Sequence, residues 1–215
     1  YVTPPGVVQE QVSNNNQIIN QNEQSLSLRV SGDGLEPGDS RAVFKNVSVD
    51  MRQYNKLKMF LHAEALPAPT DPTPLLDNQM TAFIRFGNDF TQNFYQIEMP
   101  LKVTPTTDNP KPNPNLPATV VTSCDIKAED VWPAENEIDL SLALLTAMKI
   151  GTPKTLLADG AIYYPDDHLD VFPNGDGDAK LRLGIRGNPN FGLVRNLMLR
   201  SEERRVGKEC LRLCR

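Results

Sequence analysis

Apolar side chains recur at every second position through much of this chain. That period limits the fold more than any other feature, because only an extended strand puts alternate residues on one face. Leu26, Leu28 and Val30 alternate with Ser25, Ser27 and Arg29. Val43, Val47, Val49 and Met51 share one side of residues 42–51, and Leu57, Met59 and Leu61 alternate with Lys56, Lys58 and His62. Met80, Ala82, Ile84 and Phe86 line the first arm of a hairpin, and Tyr95, Ile97 and Met99 line the second. Between them Gly87-Asn88-Asp89 supplies residues that tolerate the backbone of a tight turn. Residues 181–185 and 193–199 give two more strands, and residues 118–123 a shorter one.

Proline separates these strands. Residues 67–74 form one Pro-rich loop, and residues 105–117 carry Pro at five positions, which excludes both helix and central strand there. Asp139 can cap a single helix over residues 140–149, with Leu140, Leu144 and Met148 on its apolar stripe and Gly151 and Pro153 closing it. About eight strands, long loops and one short helix predict a mainly β fold, an antiparallel β-sandwich of the jelly-roll or galactose-binding-like kind. Asp50, Tyr54 and Leu57, followed by Met59-Phe60-Leu61, look like the strand pair of such modules, without matching any sugar ligand residue by residue.

At 215 residues, 39% hydrophobic and 23% charged, the chain has the composition of a soluble globular domain. Its longest apolar run, residues 140–150, is interrupted by Ser141, Thr146 and Lys149 and is far short of the roughly 20 residues of a membrane helix. The opening Tyr1-Val2-Thr3-Pro4-Pro5 reads as the interior of a longer chain. Residues 1–24, rich in Asn and Gln, are expected to be a linker or extended arm, and residues 25–199 the β-sandwich module. Residues 200–210 resemble the translation of a short-read sequencing adapter, so residues 200–215 are expected to be a non-native tail. The tail holds six basic and three acidic residues. Setting it aside moves the net charge from −5 to −8 and leaves Cys124 as the sole cysteine, without Cys210 and Cys214. So acidic a body argues against nucleic acid as a partner.

Candidate chemistry is sparse. His62 is expected on the solvated face of its strand. His168 lies beside Asp166, Asp167 and Asp170, with no second His or Cys at zinc spacing. Asn174-Gly175-Asp176-Gly177-Asp178 resembles half of a calcium loop, with Asp170 nearby. The completing glutamate is missing, since Ile185 stands in its place, and the stretch reads first as an exposed acidic turn. Glu135 and Glu137 are paired carboxylates that nothing positions about a substrate, and Cys124 has no plausible His partner. Phe83, Phe90, Phe94, Tyr95 and Trp132 could line a carbohydrate platform, though core packing is the commoner fate of aromatics on alternating strands. The expectation is therefore no catalytic, cofactor or metal residue, and no enzyme.

Several stretches in order carry a resemblance. They include Tyr1-Val2-Thr3-Pro4-Pro5-Gly6, the run from Gly34 to Arg41, the run from Phe44 to Glu64, Arg85-Phe86-Gly87-Asn88-Asp89-Phe90, the run from Trp132 to Ile138, and the run from Gly187 to Val194. Together they resemble an internal region of the SprA/Sov family, the giant cell-surface proteins of gliding motility and type IX secretion in Bacteroidota. The resemblance implies an outer-membrane β-barrel translocon that exports folded cargo. Its partners would be the remainder of the same chain, other secretion-system subunits and cargo proteins. Barrel walls need lipid-facing strands of about ten residues. The strands here are mostly shorter and parted by polar loops, so the region is expected to be a soluble module between barrel strands. A carbohydrate-binding module is the alternative. The family would add another strand after residue 199, where the tail stands instead.

Overall fold

A computed structural model describes residues 3–7, 11–14, 17–20, 25–29, 39–65, 75–104, 128–158, 160–165, 172–173, 180–203 and 209–214. The strands are β1 (Gln11–Asn14), β2 (Gln17–Asn20), β3 (Ser25–Arg29), β4 (Ser40–Val49), β5 (Lys56–Ala65), β6 (Met80–Gly87), β7 (Phe94–Pro100), β8 (Glu137–Ser141), β9 (Phe172–Pro173), β10 (Lys180–Arg186), β11 (Val194–Glu203) and β12 (Glu209–Cys214). The helices are α1 (Ala128–Val131), α2 (Leu142–Gly151) and α3 (Lys154–Ala158).

The strands form two large antiparallel sheets and a hairpin. One sheet has the order β4-β11-β6-β7-β10-β9 and the other β3-β12-β5-β8, while β1 and β2 pair with each other. The hairpin lies within the stretch expected to be an arm. The fold is mainly β, as the alternation predicts. Both sheets feed one core. Met80, Ala82, Ile84 and Phe86 of β6 meet Tyr95, Ile97 and Met99 of β7 and Leu181, Leu183 and Ile185 of β10. Leu61 and Ala63 of β5, Ile138 and Leu140 of β8, and Leu142, Leu145 and Met148 of α2 complete it. At about 25 cal/mol per Å² of apolar surface removed from water, this shared core is the main source of stability.

The helix begins later than the sequence pattern suggests. Asp139 does not cap it. Residues 137–141 pair as β8 with β5, Leu140 opposite Leu57 and Asp139 opposite Lys58. Ile138 and Leu140 bury completely on the core side, which a strand achieves and a helix start would not. Lys56 and Lys58 hold the Asp139 carboxylate at 3.1 and 2.8 Å. Ser141 takes the cap position without a side-chain bond, and Leu142 N–H donates instead to the Asn55 carbonyl at 2.9 Å. The buried stripe is Leu142, Leu145 and Met148, with Leu144 only partly covered. Thr152 ends the helix, donating from both its backbone N–H and its hydroxyl to the Met148 carbonyl.

The hairpin turn forms where expected. The Asp89 carboxylate accepts from the N–H groups of Thr91, Gln92 and Asn93 and from the Asn93 side chain, all within 3.1 Å. Burial alone would raise its pKa, but these donors overcome it and hold the group at about 2. Strand β11 runs past residue 199 to Glu203, and β12 lies between β3 and β5. The stretch expected to be an appended tail therefore occupies strand positions in both sheets. The Pro-rich loops and residues 118–123 lie outside the described residues.

Candidate functional site

The six-stranded sheet has a second face, turned away from the core, and the register fixes what stands there. Three rows of side chains cross five strands. The first runs Asn46, Asn196, Gly87, Phe94, Arg186. The second runs Phe44, Met198, Arg85, Gln96, Gly184, and the third runs Ala42, Arg200, Phe83, Glu98, Arg182. The rows hold four arginines and one carboxylate. On a chain whose net charge is −5, that is a local reversal of sign.

The polar groups are tied into one network. Arg85 donates to Gln96 Oε1 from Nε and Nη2, at 2.9 and 2.6 Å, and to the Phe90 carbonyl at 2.8 Å. Gln96 Nε2 donates to Glu98 Oε1 at 2.6 Å and to the Tyr164 hydroxyl at 3.0 Å. The Tyr164 hydroxyl donates to the same Glu98 oxygen at 2.5 Å, and Arg182 closes on the other at 3.1 Å. The guanidinium of Arg85 lies 3.9 Å from the centre of the Phe94 ring, and that of Arg182 3.6 Å from the Tyr164 ring, within cation–π range.

Gly184 makes this possible. A Cβ there would stand 2.7 Å from Tyr164 Cε1 and 2.8 Å from Ile162 Cγ2, so only glycine lets residues 162–164 lie across β10. Tyr163 anchors the crossing through paired backbone bonds with Ile185 at 2.8 and 2.9 Å. Burial first, and then the bond to Glu98, push the Tyr164 phenol above its ordinary pKa, so it stays a proton donor. Burial, reinforced by Arg200, lowers the pKa of Arg85. The network provides fixed, desolvated donors and aromatic planes, the chemistry of binding rather than of bond making.

Other expected positions fall differently. His62 is a correction: it is 2% exposed, not solvated. Its Nδ1 lies 2.7 Å from the Val131 carbonyl and 3.0 Å from Thr104 Oγ1, and its Nε2 lies 3.1 Å from Glu64. The segments around Thr104 and Val131 cover the β5 face that the lysines at 56 and 58 leave open. Glu135 pairs with Lys102, and Glu137 lies 3.7 Å from Lys58. Phe83, Phe94, Tyr95 and Trp132 are buried, and Phe90 is half-buried against Phe44. Cys124, His168 and the residues around Asp166, Asp167, Asp170, Asn174, Asp176 and Asp178 lie outside the described residues. Among the described residues, no group of three or more His, Cys, Asp or Glu side chains is placed to hold a metal ion. No helix among them is long and apolar enough to cross a membrane.

The arginine network was not singled out from sequence. Its signal is the polar half of β7, Gln96 and Glu98, set opposite Arg85 and Arg182. Alternation alone reads that half as solvent-facing. Comparison with known proteins places this geometry in context. Residues 1–214 match the SprA_N family model, described as motility related/secretion protein. No curated protein matches the chain.

Proposed function

The chain belongs to this motility related/secretion family, and from that premise we propose that it is a non-catalytic β-sandwich module of a giant outer-membrane translocon, serving type IX secretion and gliding motility in Bacteroidota. The observation that carries the reading is the family match across nearly the whole chain. The module faces the periplasm or the cell surface. It contacts the barrel of its own chain, other secretion-system subunits or passing cargo. The half-buried guanidinium network supports a scaffold that holds a rigid surface for binding, because its charged donors are spent on Gln96, the Phe90 carbonyl and Glu98 rather than aimed at a reacting atom. The carbohydrate reading loses its carrier, since four of its five aromatics are buried.

The test is genetic. Removing the codons for residues 26–199 in frame from the intact gene should abolish or sharply reduce secretion and gliding while the remaining protein still reaches the envelope. Normal secretion in that strain overturns the reading.

A further inference from the structure

The six-stranded sheet ends at β4, and we propose that this edge is a docking site for an extended polypeptide segment bearing carboxylates, which adds to the sheet as another strand. The inference rests on the reading of the domain as a binding module and names the chemistry of what it binds.

An edge strand leaves alternate N–H and C=O groups pointing away from its one neighbour, ready to pair with an incoming chain. Strand β4 offers an unusually long row. It has 10 residues, against roughly five or six for an average strand. Among the described residues it pairs with β11 alone. Proteins guard such edges with proline, bulges, shortening or charged side chains, and of these β4 carries the charge, at Arg41 and Lys45. β4 contains no proline, and the one register shift sits at its far end, opposite the step from Val194 to Asn196. Phe44 is 60% exposed and Val49 37%. The Phe44 ring is propped edge-on by Phe90 at 4.8 Å, which fixes it as an apolar ledge for a neighbouring side chain.

Charge selects the occupant. Between Ser40 and Val49 there is no Asp or Glu, while Arg41 and Lys45 are both exposed. A second copy is disfavoured in the register that would best overlap the N-terminal half of the strand. Two antiparallel β4 strands centred on Val43 would set Arg41 of each against Lys45 of the other, and like charges directly opposed destabilise a pair. The same two cations match a strand with carboxylates at alternate positions. They repel self-pairing in that register and attract an acidic partner.

The test uses the whole chain and two ten-residue peptides of alternating valine and charged residues, one with glutamate and one with lysine. Fluorescence anisotropy should show saturable binding of the glutamate peptide only. Hydrogen exchange should show new protection confined to residues 40–49. The double variant Arg41→Glu, Lys45→Glu, whose changes are both solvent-exposed, should bind the glutamate peptide roughly tenfold more weakly, as expected for losing two cross-strand ion pairs. Equal binding of both peptides, protection elsewhere in the chain, or unchanged affinity in the double variant overturns the proposal. A deletion strain that secretes normally while the peptide still binds β4 removes the functional reading alone. Lost secretion with no peptide binding removes the edge alone.

Discussion

The two large sheets share one core but differ in their outer faces. In the six-stranded sheet, β6 and β7 are buried on both sides, from Met80 to Phe86 and from Phe94 to Met99 with only Arg85 half-covered. In the four-stranded sheet, β8 alternates buried and half-buried residues, and β3 is mostly exposed. The centre of one sheet, β6 and β7, is therefore a doubly covered slab with a charged network against its outer surface, while its edge strand β4 stays exposed. The other is covered on its outer face around His62, while its lysines at 56 and 58 face water. Position in the sheet order, more than residue type, should set the cost of a substitution.

The largest test of that contrast sets Ile97→Ala against Leu28→Ala. Ile97 is fully buried in β7, whereas Leu28 is only partly covered in edge strand β3. Removing Ile97 should cost about 3–4 kcal/mol through lost transfer energy and a cavity that the doubly covered slab cannot collapse around. Leu28→Ala should cost about 1 kcal/mol or less. Urea denaturation of both variants decides it, and equal losses would break the contrast.

Next comes the network itself. Glu98 is the only carboxylate in the three rows and is almost fully buried, with Arg182 and Tyr164 bonded to it. Glu98→Gln keeps the shape but leaves Arg182 facing a neutral amide. A loss of about 2 kcal/mol is expected, because breaking a buried pair leaves a charge uncompensated. The contrasting change on the other sheet is Glu137→Gln, at 29% side-chain exposure and 3.7 Å from Lys58. It should move the urea midpoint barely at all.

Much of the slab was legible in the sequence, and the reasons are local. The core faces of β6, β7 and β10 follow strict alternation, and the Asp89 turn follows from side-chain chemistry that acts within four residues. What alternation cannot reveal is a second covering layer. Gln96, Glu98 and His62 look like solvent positions until Tyr164 is laid against the first two and Thr104 and Val131 against the third, all from segments distant in sequence. The α2 boundary failed for a similar reason. Residues 138–141 satisfy both a helix start and a strand, and pairing with β5, settled 80 residues upstream, decided between them. The strand β11, expected to end at 199, continues to Glu203 because β4 pairs with it as far as Glu202 and β6 as far as Glu203.

The pH response sharpens the comparison from the turn between β6 and β7. Asp89 has its pKa lowered to about 2, so the native state prefers the carboxylate more than the unfolded chain does. With a depressed native value, the stabilisation is fully present above the ordinary aspartate range near 4 and is lost as pH falls from there through about 2. Asp89→Asn can still accept through its amide oxygen but has no proton equilibrium. Its thermal midpoint should therefore start lower at neutral pH and stay flatter between pH 4 and 2 than that of the unaltered chain. The matching change on the four-stranded sheet is Asp139→Asn. Asp139 is likewise held below the usual range, chiefly by its bond to Lys58, but by surface ammonium groups that salt can screen. Raising the ionic strength should erase the effect of Asp139→Asn and leave that of Asp89→Asn, whose donors are backbone N–H groups fixed by the turn. If salt weakens both alike, the turn is held by solvent-exposed charge, and the distinction between a rigid slab and a water-facing cover does not extend to its end.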